Sequence, residues 1–512
     1  MSTFHGLEMA RQALFAQQSA LYTTGHNISN ANTDGYSRQR VNFETTSPFP
    51  AASRNRPHIP GQMGTGVQID TVQRLRDRFL DMQYRAENSK AGYWDTKNKA
   101  LGRLETVLNE PSKSGLSHTM DQFWESLQTL SVNPDNTGAR SVVSGRGEAV
   151  ADTLNYLSKT IQAQRAEQES QIDVTVKKAN SLLHQINEIN GKINAIEPHG
   201  YVANDLYDDR DRLIDELSEI VNIHVTHESS GEAPASADGV VTIKLADSKG
   251  TPFDPERVLV NGQAGEYNNI SVHKTNEGVS SIEVDGETIE ASQFIDTLGS
   301  LSALIETYGY EKENSEDFVG VLPDMLEQLD NLAAELAYRF NEVHKDGFAL
   351  DGSAGIDFFV PNEEGATITA ENIRVHQQII DHPDLIAASE TMDFDGDGKN
   401  AINLGHVFDR PFADWDKESS AFEENQSIDA FYESIIGNLG VDAQEAKRMY
   451  DNTEILRSQV SNQRLSVSAV SLDEEMSNMI QFQHAYNAAA RSMTTIDEML
   501  DKIINGMGIV GR

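Results

Sequence analysis

Ser471-Leu-Asp-Glu-Glu-Met-Ser-Asn-Met-Ile480 opens a stretch that continues through Gln-Phe-Gln-His-Ala-Tyr-Asn-Ala-Ala-Ala490 and Arg-Ser-Met-Thr-Thr-Ile-Asp-Glu-Met-Leu500 to Gly506. Leu472, Met479, Tyr486, Met493 and Leu500 recur every seven residues, and Phe482, Ala489, Ile496 and Ile503 recur at a second phase. Such a double repeat is the seam of a helix that packs on another helix, over ~50 Å at ~1.5 Å per residue. Ser471 and Glu474 stand at capping-box spacing, which places the helix start at Ser471. At the other end of the chain Leu7, Leu14, Leu21 and Ile28 form a thinner stripe, backed by Phe4, Ala10 and Ala13 but interrupted by Gln17 and Thr24. Helices with such stripes are marginal alone in water and draw their stability from packing. The two ends are therefore expected to pack on each other or on copies of themselves.

Three further helices are predicted between the ends. One runs from about 148 to 196, with Ile172, Val176, Ala179, Leu183, Ile186, Ile189, Ile193 and Ile196 at helical spacing, and stops at Glu197-Pro-His-Gly200. A second covers Asp205–Val221. A third covers 443–470, with Met449, Leu456, Val460, Val467 and Val470 in one phase that slips before Leu472 and so marks a joint. The middle changes character. Ser229 to Gly239 is rich in small, turn-forming residues and reads as a linker, Val241, Ile243 and Leu245 alternate as in a half-buried strand, and Val284-Asp-Gly286 is a hairpin signal. These features predict a small β-rich region at 223–295 and a second β-prone patch near 365–375.

Composition removes several functional classes. Lys plus Arg number 41 against 80 Asp plus Glu, a formal charge of −39, which repels phosphate backbones and anionic lipid and excludes nucleic acid as a partner. The absence of cysteine excludes disulfides, thiolate metal sites and cysteine nucleophiles. The first ten residues lack the basic and apolar regions of a secretory signal, and no apolar run reaches the ~18 residues of a membrane span, so no membrane insertion is expected. No zinc-protease, nucleophile-elbow, phosphate-loop or dinucleotide motif occurs, and no catalytic residue or cofactor is expected. His224 and His227 would face opposite ways on a strand. The many carboxylates are expected to be solvated. Asp393, Asp395 and Asp397 alternate with Gly398 at the sixth position, as in the first half of a calcium loop, but Leu404 stands where a closing Glu belongs. The loop reads first as a turn entering a helix, with a weak calcium site as the alternative.

His26-Asn27-Ile28-Ser29-Asn30-Ala31-Asn32-Thr33-Asp34-Gly35-Tyr36-Ser37-Arg38-Gln39 resembles the N-terminal signature of the axial flagellar proteins, with Asn27, Asn30, Asn32, Gly35 and Tyr36 at its marked positions and Asp34 where many relatives carry Pro. Arg74 to Gln83, Ala203 to Leu217, Asn341 to Gly347, Asp357 to Phe359 and Ser471 to Gly506 extend the likeness to the hook-associated proteins of the hook–filament junction. The resemblance implies a mainly α fold with β insertions (α+β), elongated and multidomain. Its parts would be a terminal coiled-coil domain from 1–40 and 471–512, a discontinuous helix-rich rod domain from 41–222 and 296–470, and a β-rich insert at 223–295. It implies a structural protein, not an enzyme, exported through the flagellar type III apparatus and secreted without a cleaved signal. The implied partners are a ring of copies of itself, the hook protein, a second junction protein and an export chaperone on the C-terminal helix. The assembly residues would be those of the two seams: Leu7, Leu14, Leu21 and Ile28 with Leu472, Met479, Phe482, Tyr486, Met493, Ile496, Leu500 and Ile503. Ordering of both terminal helices is expected only between neighbouring subunits. A hook subunit, the second junction protein or a flagellin is the alternative within the class; a secreted calcium-dependent adhesin or enzyme is the alternative outside it.

Overall fold

The computed structural model describes residues 4–50, 54, 61–108, 112, 115–231, 233–313, 315, 317–394, 396–411 and 426–506. In chain order it begins with α1 (His5–Ser29), β1 (Gln39–Thr45), β2 (Val67–Arg74), α2 (Arg78–Leu108), α3 (Leu116–Val132), α4 (Thr137–Ile196) and α5 (Asn204–Ile220). There follow β3 (Ile223–Glu228), β4 (Val240–Leu245), β5 (Val258–Asn261), β6 (Glu266–Tyr267), β7 (Ile270–Lys274), β8 (Val279–Val284) and β9 (Glu287–Glu290). Next come α6 (Ala291–Ile295), α7 (Ser300–Tyr308), β10 (Tyr310–Glu311), β11 (Phe318–Val319), α8 (Val321–Asp346), β12 (Phe359–Pro361) and β13 (Ile373–Val375). The chain closes with α9 (Gln377–Asp381), α10 (Lys399–Asp409), α11 (Ile428–Ser468) and α12 (Leu472–Gly506). The fold is mainly α with β insertions, as expected. No described helix is long and apolar enough to cross a membrane.

Two compact units divide the chain: residues 1–89, 179–270 and 454–512 form the first, and 90–178 with 271–453 form the second. In the first unit the last turns of α4 bury Ala179, Leu183, Ile186 and Ile193, the predicted stripe. Asn190 fastens this helix to the sheet β3-β4-β5-β6, donating to the Val241 carbonyl at 2.9 Å and accepting from its N–H at 3.1 Å. Pro198 and Gly200, the latter at φ +86°, end the helix as read. Strand β4 differs from expectation: both of its faces are buried, because Thr242 is covered as well and accepts from the Gly262 N–H. The small-residue stretch 229–239 is the connection between paired strands β3 and β4 rather than a linker. Gly239, at φ +73°, lies so close to Glu228 that any Cβ would strike its carbonyl.

The second unit is built on α3, α8, α10 and the first part of α4. Phe123, Phe340, Phe358, Phe359 and Phe408 are fully buried and meet ring to ring. Asn341 on α8 holds two of these rings in place, accepting from the N–H groups of Phe358 and Phe359 at 2.8 and 2.9 Å and donating to the Phe359 carbonyl at 2.7 Å. Buried His344 takes the Ala387 N–H on Nε2 and faces the Ile356 carbonyl with Nδ1, so its ring is neutral with the proton on Nδ1. Burial pushes it down to about 4. The hairpin β8–β9 turns at Asp285 and Gly286, both at positive φ.

Several boundaries moved. Helix α4 begins at Thr137, not 148; of its early core-facing positions only Val143 is a large apolar residue, while Arg140, Ser144 and Gly147 hide the periodicity, and a Cβ on Gly147 would lie 2.7 Å from the Phe358 ring. Helix α11 begins at Ile428, and its buried positions include Ala446 and Thr453, whereas Leu456 and Val467 of the expected phase are exposed. The β-rich stretch 223–295 feeds two separate sheets, β3 to β6 in the first unit and β7 to β9, joined by β10 and β11, in the second. Of the patch 365–375 only Ile373–Val375 is strand, paired with Phe359–Pro361.

Candidate assembly site

Helices α1 and α12 pack on each other within the first unit. Two fixed points set their register: Gly6, where a Cβ would come 3.1 Å from Ile496 Cδ1, and Asn27, whose Nδ2 donates to Glu475 Oε2 at 3.1 Å. Gly6–Asn27 and Glu475–Ile496 are equal in length, so the pair is antiparallel and without slip. On α12 the least exposed line runs through Met479, Phe482, Tyr486, Met493, Ile496 and Leu500, the expected seam, while Leu472 and Ile503 are exposed at its two ends. On α1 the fully buried positions are Ala10, Ala16, Ala20, Thr24 and Asn27. Leu7, Leu14, Leu21 and Ile28 stand half-buried on the flanks of that line. Small residues let the two backbones approach, and leucine at those positions would hold them apart. Of the two expected packings the structure carries the first, the two terminal helices covering each other in one chain, so packing on a neighbouring copy is not needed to cover these seams. Exposed are Phe15 and Tyr22 on α1, and Met476, Ile480, Met499 and Ile504 on α12.

The signature at 26–39 is the knot beneath this pair. The Asn27 amide makes four hydrogen bonds: Oδ1 accepts from the Gln39 N–H at 3.0 Å and the Tyr36 hydroxyl at 2.8 Å, and Nδ2 donates to the Gln39 carbonyl at 2.8 Å besides Glu475. An amide offers four such valences, so Asn27 is saturated. Burial, then Asp205, Asp208 and Glu475, push the Tyr36 phenol up, which keeps its donating proton. His26 sits 2.9 Å from the same hydroxyl, with its ring edge-on to Tyr36. Asn30 closes the last turn of α1 by donating to the His26 carbonyl. Gly35 turns the chain at φ +81°, and Asn32 is exposed.

Below the knot lies a network of buried ions that sequence reading missed. The Ser37 N–H donates to Asp208 at 2.9 Å. Arg74 pairs with Asp208, Asp211 and Asp238; Arg76 with Asp81 at 2.7 Å; Arg85 with Asp211 and Asp215; and Arg464 with Asp215 at 2.6 Å. Burial works against the Asp211 carboxylate, yet Arg76, Arg74, Arg85 and Arg210 together hold it well below the usual carboxylate range. Asp238 is likewise held at about 2 against its burial by Arg74 and Arg78. Burial wins at Asp208, which is raised despite Arg74, and at Arg210, pulled down to about 10. The expectation of solvated carboxylates fails here. The available signal was the spacing of Asp208, Asp211 and Asp215, three and four apart, which places all three on one helical face.

Other candidates carry less. Asp397 accepts from the N–H groups of Glu390 and Lys399 at 3.1 and 3.2 Å, which makes it the entry to α10 rather than a cage ligand. Asp393 is exposed at φ +56°, and Asp395 lies outside the described residues. Among the described residues no group of three or more His, Asp or Glu could hold a metal ion, and His224 and His227 belong to no such group.

Comparison with known proteins sorts these regions. Residues 101–359 match the helical domain of the flagellar hook-associated protein FlgK. Flagellar hook-associated protein 1 of Bacillus subtilis is 46% identical over the whole of both chains. The chain belongs to the flagellar hook-associated protein 1 family. The relative from Escherichia coli is 23% identical over 97% of this chain and 98% of its own. The solved hook junction protein FlgK of Burkholderia pseudomallei shares the fold, with a TM-score of 0.59 at 13% identity over 76% of this chain and all of that one. The two terminal helices also match rod-protein families. Residues 7–36 match the flagella basal body rod protein family, and 461–506 match the C-terminal family of the rod proteins FlgEFG.

Proposed function

We propose that this chain is a structural subunit of the bacterial flagellum, placed outside the cell at the junction of hook and filament. The observation that carries the reading is the full-length relationship to flagellar hook-associated protein 1 of Bacillus subtilis. Copies exported through the type III apparatus would form a ring, touching the hook protein on one side and a second junction protein on the other. Residues 1–40 and 471–512 act as the assembly domain. Within it Met479, Phe482, Tyr486, Met493, Ile496 and Leu500 serve the α1–α12 contact, while Leu7, Leu14, Leu21, Ile28, Leu472 and Ile503 are left for neighbours. Asn27, Asn30, Asn32, Gly35 and Tyr36 shape the turn that ties the pair down.

Charge supports contact between copies. Residues 12–25 and 476–490 contain no Asp, Glu, Lys or Arg in a chain of net charge −39. Elsewhere two copies repel; along these faces apolar area can be buried without opposing charge. Before assembly the same edge of α12 would be covered by an export chaperone. Deleting residues 472–512 is expected to abolish incorporation into hook tips while leaving the second unit folded. Deleting the whole gene should leave bare hooks with filament protein shed into the medium. Filaments attached as usual in either strain would overturn the assignment.

A further inference from the structure

The helical ladder of α11 ends where the Ala469 N–H reaches the Leu465 carbonyl, and that of α12 begins where the Glu475 N–H reaches the Ser471 carbonyl. The joint between them is Ala469-Val470-Ser471. Backbone hydrogen bonds do not set the angle of such a joint, so side chains at its edges must. Several touch one helix only. Arg464 ties the last turns of α11 to Asp215; Asn27 reaches α12 through Glu475; Phe43 lies edge-on to Phe482, with ring centroids 6.1 Å apart.

Arg38 touches both. Its backbone N–H donates to the Ser468 carbonyl at 2.8 Å, satisfying a last-turn acceptor of α11. Its Nε donates to Glu475 Oε1 at 2.7 Å, and Nη1 and Nη2 donate to Glu474 at 3.0 and 2.8 Å, in the first turn of α12. A planar guanidinium bound this way fixes direction as well as distance. The anchor is itself held: the Arg38 carbonyl accepts from the Leu75 N–H at 2.7 Å, and the next residue, Gln39, is gripped by Asn27. Glu474 therefore does not close the capping box predicted for it, because Arg38 takes its carboxylate. The Glu475 side chain is 3% exposed, so that half of the clamp is shielded from water and salt.

We propose that Arg38 is the positioning residue of the α11–α12 joint, setting the direction in which the terminal helix pair leaves the end of α11. The uncovered face of the pair then points where Arg38 aims it. This goes beyond the assignment to the flagellar junction and stands without it, because the angle is a property of the free chain.

The chain contains no cysteine, so cysteines placed at exposed Asn462 on α11 and Asn487 on α12 take spin labels at two defined sites. Electron–electron double resonance on the full-length protein is expected to give one narrow distance distribution. Arg38→Ala should broaden it about twofold or shift its mean while helix content by circular dichroism stays constant, and Arg38→Lys, which keeps a cation against Glu475 but loses the planar fork, should give a width between those of the parent and Arg38→Ala. An unchanged distribution in a folded Arg38→Ala protein overturns the proposal. Should Arg38→Ala lose helix content, Glu474→Gln, a residue whose side chain meets Arg38 and not Asn27, decides: broadening supports the clamp, and the parent distribution refutes it.

Discussion

In the second unit Phe123 lies 5.3, 5.9, 6.0 and 5.8 Å, centroid to centroid, from the rings of Phe340, Phe358, Phe359 and Phe408, and no water reaches any of them. Beneath the α1–α12 pair in the first unit, the comparable interior holds Arg74, Arg76 and Arg85 against Asp81, Asp208, Asp211 and Asp215. Both regions are buried, and they are held in opposite ways. Aromatic packing is graded and tolerant, since a lost ring removes area and leaves a cavity. An ion network is conditional, since removing one carboxylate strands several cations away from water. The terminal helix pair thus stands on the less forgiving foundation, and the aromatic core is the more forgiving one.

The largest effect should come from that foundation. Asp211→Ala leaves three arginines short of a partner and is expected to cost about 5 kcal/mol, read by hydrogen exchange as lost protection in α5 and β4. Equal loss in α3 and α8 would break the comparison by making the two interiors one cooperative body. Phe123→Ala should cost about 4 kcal/mol, with exchange rising in α3 and α8 first. Acid sharpens the contrast further. His344 is held at about 4 by burial, below its ordinary value near 6.5, so the unfolded chain takes up a proton before the folded one does. Its contribution is intact above about pH 6.5, falls as pH drops toward 4 and levels off below, about 3 kcal/mol in all. Thermal melts from pH 7 to 4 on the parent and on His344→Gln test this: an equally steep decline in the variant would remove His344 from the account. The smallest effect belongs to the exposed ends of the α12 seam. Leu472→Ser with Ile503→Ser should change stability of the free chain by less than about 0.5 kcal/mol and act only on assembly, so a large drop in the melt would place them in the internal contact.

What could be read in advance followed the period of the apolar residues. The α12 seam from Met479 to Leu500, the stop of α4 at Pro198 and Gly200, the turn at Asp285-Gly286 and the joint before Leu472 are local patterns, and the structure carries each one. What escaped had polar residues in apolar places. The early part of α4 was hidden because Arg140, Ser144 and Gly147 face its core beside a single apolar residue there, Val143. The Arg–Asp network was passed over because a carboxylate in a chain with 80 of them gives no sign of its own burial.

Sequence alone thus determined the seam of α12, the stop of α4 and which family the signature at 26–39 resembles, since these rest on residue type and spacing. Only the tertiary structure decided that the terminal helices cover each other, that Asn27 spends its whole amide on holding them, and that Arg38 spans the joint. Those outcomes depend on residues more than four hundred positions apart meeting at hydrogen-bond distance, and no periodicity within either segment encodes that meeting.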